Sequence, residues 1–205
     1  KHMNGVGFSV DKVLAGISSA KNAGFNPIKI NCVVQKGVNE HTIIDLARYC
    51  KDNNLILRFI EYMDVGNQNQ WDYKQVVPSR EVVDIIKQEL DIEPMNKNYP
   101  EEVADRYRYS DGTGEIGFIS SVTQPFCGQC SRARLSTDGK LVTCLFAEGG
   151  VDLKTPMRSG ATDSELIELI NKTWSLRTDQ YSVERTSGRK ATNTNNKIEM
   201  FHIGG

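Results

Sequence analysis

Two short β-branched runs, "IKINCVV" at 28–34 and "LILRFI" at 55–60, flank a stretch with helical periodicity. Two strands joined through a helix run parallel, because a parallel pair needs a crossover and an antiparallel pair needs only a turn. The same alternation extends on both sides. Ser9 caps a helix over about 10–23, with Val13, Leu14, Ile17 and Ala20 on one face. Asn39 caps a second helix with Ile43, Ile44, Ala47 and Cys50 inward, and Ser79 opens a third with Val82, Val83, Ile86 and Leu90 inward. Two or three such units cannot close a barrel. Residues 1–93 therefore read as the later part of something larger, a reading that fits the opening "KHMNGVGFSV", which has no initiator Met.

The pattern changes near Pro94. "RYRYSDGTGEIGFISSV" (106–122) and "RARLSTDGKLVTCLF" (132–146) each hold two strand runs around a Gly-containing turn, so 94–205 is expected to contain a small antiparallel sheet. A helix over about 163–174 follows, with Leu166, Ile167, Leu169 and Ile170 as core. The expected class is α/β: half of a barrel-like unit (1–93) and then a smaller α+β domain (94–205).

Bulk numbers exclude several functions. A formal net charge of −1 over 205 residues gives no global field for nucleic acid or an acidic membrane. No run approaches the roughly 18 apolar residues of a membrane span. Five cysteines is an odd count, which fits a reducing, cytoplasmic setting better than a disulfide framework.

Three of those cysteines define the chemistry. Cys127 and Cys130 form a Cys-x₂-Cys pair, and Cys144 returns across the Asp138-Gly139 turn after thirteen intervening residues. Thiolates select zinc or iron–sulfur clusters. Zinc with a distant fourth ligand such as His202, a cluster, and a plain thiol pair are all open on spacing alone. Three thiols on a four-iron cluster would leave one iron free for a ligand. Arg132 and Arg134 alternate along a strand and so share a face, where guanidinium forks suit phosphate or carboxylate. Two further cations interrupt apolar strands: Lys29, which shares a face with Asn31, and Arg58. Buried parallel strands are normally apolar on both faces, so these cations either line a pocket or reach solvent. Glu61, Tyr62 and Met63 end the second strand; Glu61 either binds a sugar hydroxyl or caps the next turn. The segment 172–197 is locally basic, and the chain ends in Gly204 and Gly205.

The pieces "PIKINCVVQKGVNE", "LRFIEYMDVG", "FCGQCSRARLSTDGKLVTCLF", "PMRSGATDSELIELI" and the final "GG" run the length of the chain. Together they resemble the C-terminal portion of the molybdenum cofactor biosynthesis protein A family, the GTP 3′,8-cyclases of the radical S-adenosylmethionine superfamily. The resemblance implies an incomplete (β/α)₆ barrel with a C-terminal extension. It implies that Cys127, Cys130 and Cys144 hold a [4Fe–4S] cluster, and that Lys29, Arg58, Arg132, Ala133 and Arg134 contact GTP. It further implies that Met63 contacts S-adenosylmethionine and that Gly204 and Gly205 reach the active site. The implied partners are a second copy of the chain and a downstream cyclic pyranopterin monophosphate synthase. The family's CxxxCxxC motif, which holds the cluster that cleaves S-adenosylmethionine, is absent from these 205 residues. The chain alone is thus expected to be inactive. A zinc-binding interaction module and another radical enzyme with an auxiliary cluster are the rival expectations.

Overall fold

A computed structural model describes residue 7 and residues 9–67, 69–187 and 196–203. The expectations for Gly204 and Gly205 lie outside these residues. Helix α1 (Val10–Asn22) starts at Ser9, whose side chain accepts from the Asp11 N–H. Strand β1 (Lys29–Val34), helix α2 (Ile43–Asp52), strand β2 (Ile56–Glu61) and helix α3 (Ser79–Lys87) follow in the expected order. β1 and β2 pair in parallel, with Asn31 opposite Arg58.

The chain then adds β3 (Ile92–Met95), β4 (Asp105–Tyr109) and β5 (Glu115–Ile119). The first hairpin does not join a separate small sheet. β5 pairs in parallel with β2, and β4 and β3 extend the sheet antiparallel, giving the order β1-β2-β5-β4-β3. The physical reason lies in β5 itself: Ile116, Gly117, Phe118 and Ile119 are all buried, which suits an inner strand. The result is a five-stranded mixed sheet. A second sheet of β6 (Arg134–Leu135), β7 (Lys140–Val142) and β8 (Val151–Asp152) is antiparallel, as the second hairpin predicts.

The core lies between the large sheet and the helices. β2 alternates strictly: Leu57 and Phe59 are buried, while Ile56, Arg58 and Ile60 are half-buried on the other face. Leu57, Phe59, Ile116 and Phe118 pack with Ile43, Ala47, Cys50, Val82, Val83 and Ile86 of the helices. Phe118 receives Phe59 in a stack at 6.2 Å and Tyr107 edge-on at 5.3 Å. The opposite face carries a polar row, Asn31–Arg58–Gly117. A Cβ on Gly117 would lie 3.3 Å from Arg58 Cγ, so this glycine leaves room for the arginine to lie across the sheet.

Two expected cores are thinner than the periodicity implies. In α1, Val13 is exposed and Leu14, Ile17 and Ala20 are only half-buried. After a short helix α4 (Lys154–Arg158), α5 (Asp163–Ser175) starts with a Thr162–Glu165 capping box; in it Leu166 and Leu169 are half-buried, but Ile167 and Ile170 are 57% and 38% exposed. The three-stranded sheet beside α5 has only two or three residues per strand, too little surface to cover a whole apolar stripe.

Candidate functional site

The C-terminal ends of the parallel strands carry the candidate site, where open α/β sheets commonly bind ligands. Glu61, at the end of β2, is 2% exposed and acts as a brace. One carboxylate oxygen accepts from Ser79 N (2.8 Å) and Thr123 Oγ1 (2.6 Å), the other from Val122 N and Thr123 N (both 2.8 Å). With both oxygens used internally, Glu61 fastens the loop after β5 to the start of α3. It takes neither of the roles expected for it: its oxygens serve the start of α3 and the loop after β5 and not the turn that follows β2. Tyr62 is likewise occupied, donating its hydroxyl to Asn69 O at 3.0 Å.

A cavity of about 440 Å³ opens beside these strand ends. Ile60, Met63, Ile119 and Phe126 form its apolar side, Cys127, Cys130 and Cys144 bring three thiols, and Arg132, Arg134 and Arg177 bring three guanidiniums. Asn31 also lines it, and accepts from Arg58 Nε at 2.8 Å. Arg58 thus stands one residue behind the wall. Lys29 and Ala133 are exposed and lie outside the lining, and His202 is exposed on a short turn, with its ring against Phe201. The expected zinc site with His202 as fourth ligand is therefore not assembled.

The cysteines sit on a short helical turn, Cys127–Gln129, and just beyond β7. Cys130 Sγ accepts from Arg132 Nε (3.3 Å) and Nη2 (3.1 Å), and Arg132 itself covers the Phe126 ring. Burial pushes the Cys130 thiol up, but the Arg132 hydrogen bonds and the charges of Arg132 and Arg177 outweigh it, so its pKa falls below the ordinary value. Cys144 goes the other way. Burial raises it, and Asp179 and the other two thiols add to that against one hydrogen bond from Phe146 N. Burial and then the Arg132 charge lower the pKa of Arg134. Its guanidinium makes no hydrogen bond or ion pair among the described residues.

The three sulfurs share a cavity, yet among the described residues no three His, Cys, Asp or Glu side chains form a set that could hold a metal ion. The donor chemistry, three thiols with guanidiniums beside them, is that of a thiolate-bound group.

A buried network lies behind the cavity wall, where Arg185 donates to Ser121 O and Tyr181 stacks on Phe146 at 4.4 Å. Asp64 accepts from Tyr181 OH (2.5 Å), Lys197 Nζ (2.9 Å) and Arg185 Nη1. Burial raises the Asp64 pKa, but the Tyr181 and Lys197 hydrogen bonds and the Arg185 and Lys197 charges bring it below the usual value. Asn67 pairs with both the N–H and the carbonyl of Lys197, and Asn67 N donates to Glu199. These contacts hold segment 196–203 in place, and its Met200 lines the cavity. Arg177 and Asp179 on the cavity wall, and Asp64 and Lys197 behind it, are residues that sequence reasoning missed. The only signal was the basic character of 172–197, which does not say which cation turns inward.

Comparison with known proteins places this geometry. Residues 55–183 match the family described as Molybdenum Cofactor Synthesis C. The chain belongs to that family. It is 45% identical over 218 residues to a GTP 3′,8-cyclase of Acidothermus cellulolyticus, covering 96% of this chain and 60% of the relative. A GTP 3′,8-cyclase of Xanthomonas campestris is 45% identical over 205 residues, covering 100% and 59%. One of Staphylococcus carnosus is 46% identical over 204 residues, covering 99% and 60%. The chain thus spans about 60% of the length of these curated relatives. The family match covers every element of the site from β2 to Tyr181, including all three cysteines and the three arginines of the cavity. Among the described residues no helix is long and apolar enough to cross a membrane.

Proposed function

We propose that this chain is the substrate-binding C-terminal part of a GTP 3′,8-cyclase. The enzyme would convert GTP to (8S)-3′,8-cyclo-7,8-dihydroguanosine 5′-triphosphate in molybdenum cofactor synthesis. The observation that carries the reading is the single cavity that gathers three thiols and three guanidiniums, in a chain about 45% identical to proteins of that name. In this reading the large sheet is the later part of an incomplete (β/α)₆ barrel, and residues 94–205 are the cluster- and GTP-binding part. S-adenosylmethionine and its own cluster are bound by a CxxxCxxC segment that these 205 residues do not contain.

Cys127, Cys130 and Cys144 would hold a [4Fe–4S] cluster. When bound, such a cluster supplies one iron with an open coordination position for a purine heteroatom. The protein's own residues do the rest by positioning and electrostatics. Arg132 and Arg134 bind the anionic nucleotide, and the Ala133 backbone between them runs along it. Lys29 and Arg58 extend the positive strip toward the phosphates, with Arg58 oriented by Asn31. Met63 lines the cavity and would contact S-adenosylmethionine. Phe126, Ile60 and Ile119 exclude water, which strengthens each charge contact. Gly204 and Gly205 would approach the substrate from the far side. A homodimer, a cytoplasmic setting and a downstream cyclic pyranopterin monophosphate synthase belong to the same proposal.

The test is iron, zinc and acid-labile sulfide on chain purified without oxygen, followed by GTP titration. About four iron and four sulfide per chain are expected, lost together in Cys144→Ser, with GTP affinity falling in Arg132→Ala and Arg134→Ala. About one zinc without sulfide, or GTP binding indifferent to both arginines, would overturn the assignment.

A further inference from the structure

We propose that Arg177 is a third nucleotide-binding arginine of the cavity, reaching the end of the ligand nearest the cysteines. The inference rests on the nucleotide-cyclase reading above and adds a residue to it.

Arg177 follows α5 by two residues and lines the cavity with the three cysteines. Its guanidinium is held on two sides. The plane lies over the Trp174 ring, 4.1 Å from the centroid, and Nη2 donates to the carbonyl of Cys130. Nη1 is buried and has no hydrogen-bond partner. A buried cationic N–H without an acceptor is costly, and proteins tolerate it mainly where a partner arrives. Of the four orphaned buried side-chain atoms among the described residues, this is the one whose residue lines the cavity. No carboxylate pairs with Arg177 among the described residues. The nearby candidate, Asp179, directs Oδ2 to Thr143 Oγ1 at 2.6 Å. A planar fork with one arm tied to the Cys-x₂-Cys turn and its plane on Trp174 needs only a small rotation to turn its unpaired arm from the wall to an acceptor in the cavity, so little entropy is lost when that acceptor arrives. Because the tied arm sits on Cys130, the free arm serves the ligand end at the cysteines, which in this reading is the purine.

The experiment titrates GTP and GMP into anaerobically reconstituted wild type and Arg177→Gln, with iron and sulfide measured on the same samples. The expected result is full iron and sulfide with affinity for both nucleotides reduced about ten- to hundredfold, the range of one charge-assisted hydrogen bond. Unchanged affinity overturns the proposal. Loss of iron and sulfide along with affinity also overturns it, leaving Arg177 as a brace for the turn. A loss for GTP but not GMP overturns the purine-end placement. A wild type that binds neither nucleotide overturns the cyclase reading and this proposal together, which separates the two failures. Should Arg177→Gln prove insoluble, Arg177→Lys keeps a charge but cannot fork, and carries the same readouts.

Discussion

Asp64→Asn removes one negative charge from a buried cluster and changes almost no volume. In the native chain Asp64, Arg185 and Lys197 have side chains 2–3% exposed, and one carboxylate faces two cations. The substitution leaves both cations without a counter-charge. Breaking a buried pair from one side costs about 3–5 kcal/mol. The amide oxygen of the substituted side chain can still accept from Arg185, but its NH₂ group then meets Tyr181 OH and Lys197 Nζ, both of which donate in the native chain. A loss of about 3–5 kcal/mol is therefore expected in urea unfolding at pH 7, read as a lower midpoint at unchanged slope. The double variant Asp64→Asn/Lys197→Met should recover about 1–2 kcal/mol of it, because one orphaned cation is gone. Hydrogen exchange in 196–203 should rise in Asp64→Asn more than in the β2 core, since Lys197 is that segment's buried anchor. A loss below about 1 kcal/mol, or a double variant worse than the single, would refute the idea that charge holds segment 196–203 in place.

The same carboxylate gives a pH dependence. Its folded pKa lies below the ordinary 3.8, so its contribution is complete above that value and is lost as pH falls through the lower folded value; acid titrations should show Asp64→Asn lacking this part of the transition. Glu61→Gln turns an acceptor of four donors into a group with N–H atoms facing N–H atoms, and should cost about 2–4 kcal/mol in urea unfolding. Gly66→Ala should destabilise by about 1–3 kcal/mol and raise proteolysis near 196–203, because φ is +63° and the new Cβ would lie 2.3 Å from Glu199 Oε2. The 205-residue chain alone, incubated with reductant, GTP and S-adenosylmethionine, should form no 5′-deoxyadenosine; any formation would refute the need for a separate CxxxCxxC segment.

Local elements were legible along the chain. Helical spacing, the Ser9 cap, the β-branched runs read at 28–34 and 55–60, and the Asp138-Gly139 turn each act over a few residues, and each appears within a residue of its expected place. Asn39 is the exception: it makes no side-chain cap bond, and Thr42 is the residue before α2. The three-cysteine cavity was legible for the same reason, since one hairpin brings Cys144 back to Cys127 and Cys130. Tertiary structure alone decided the rest. "EIGFI" reads equally as either sheet's strand, and only burial on both faces selects the place beside β2. The periodicity of α5 says which residues share a face, but the area of the neighbouring sheet decides whether that face is covered. Arg58, Lys29 and Arg177 are all cations in the one-dimensional chain. Packing placed Arg177 on the cavity wall, Arg58 behind Asn31 and Lys29 in solvent. Charge is a property of a residue, whereas its partner and its exposure belong to neighbours that come from elsewhere in the chain.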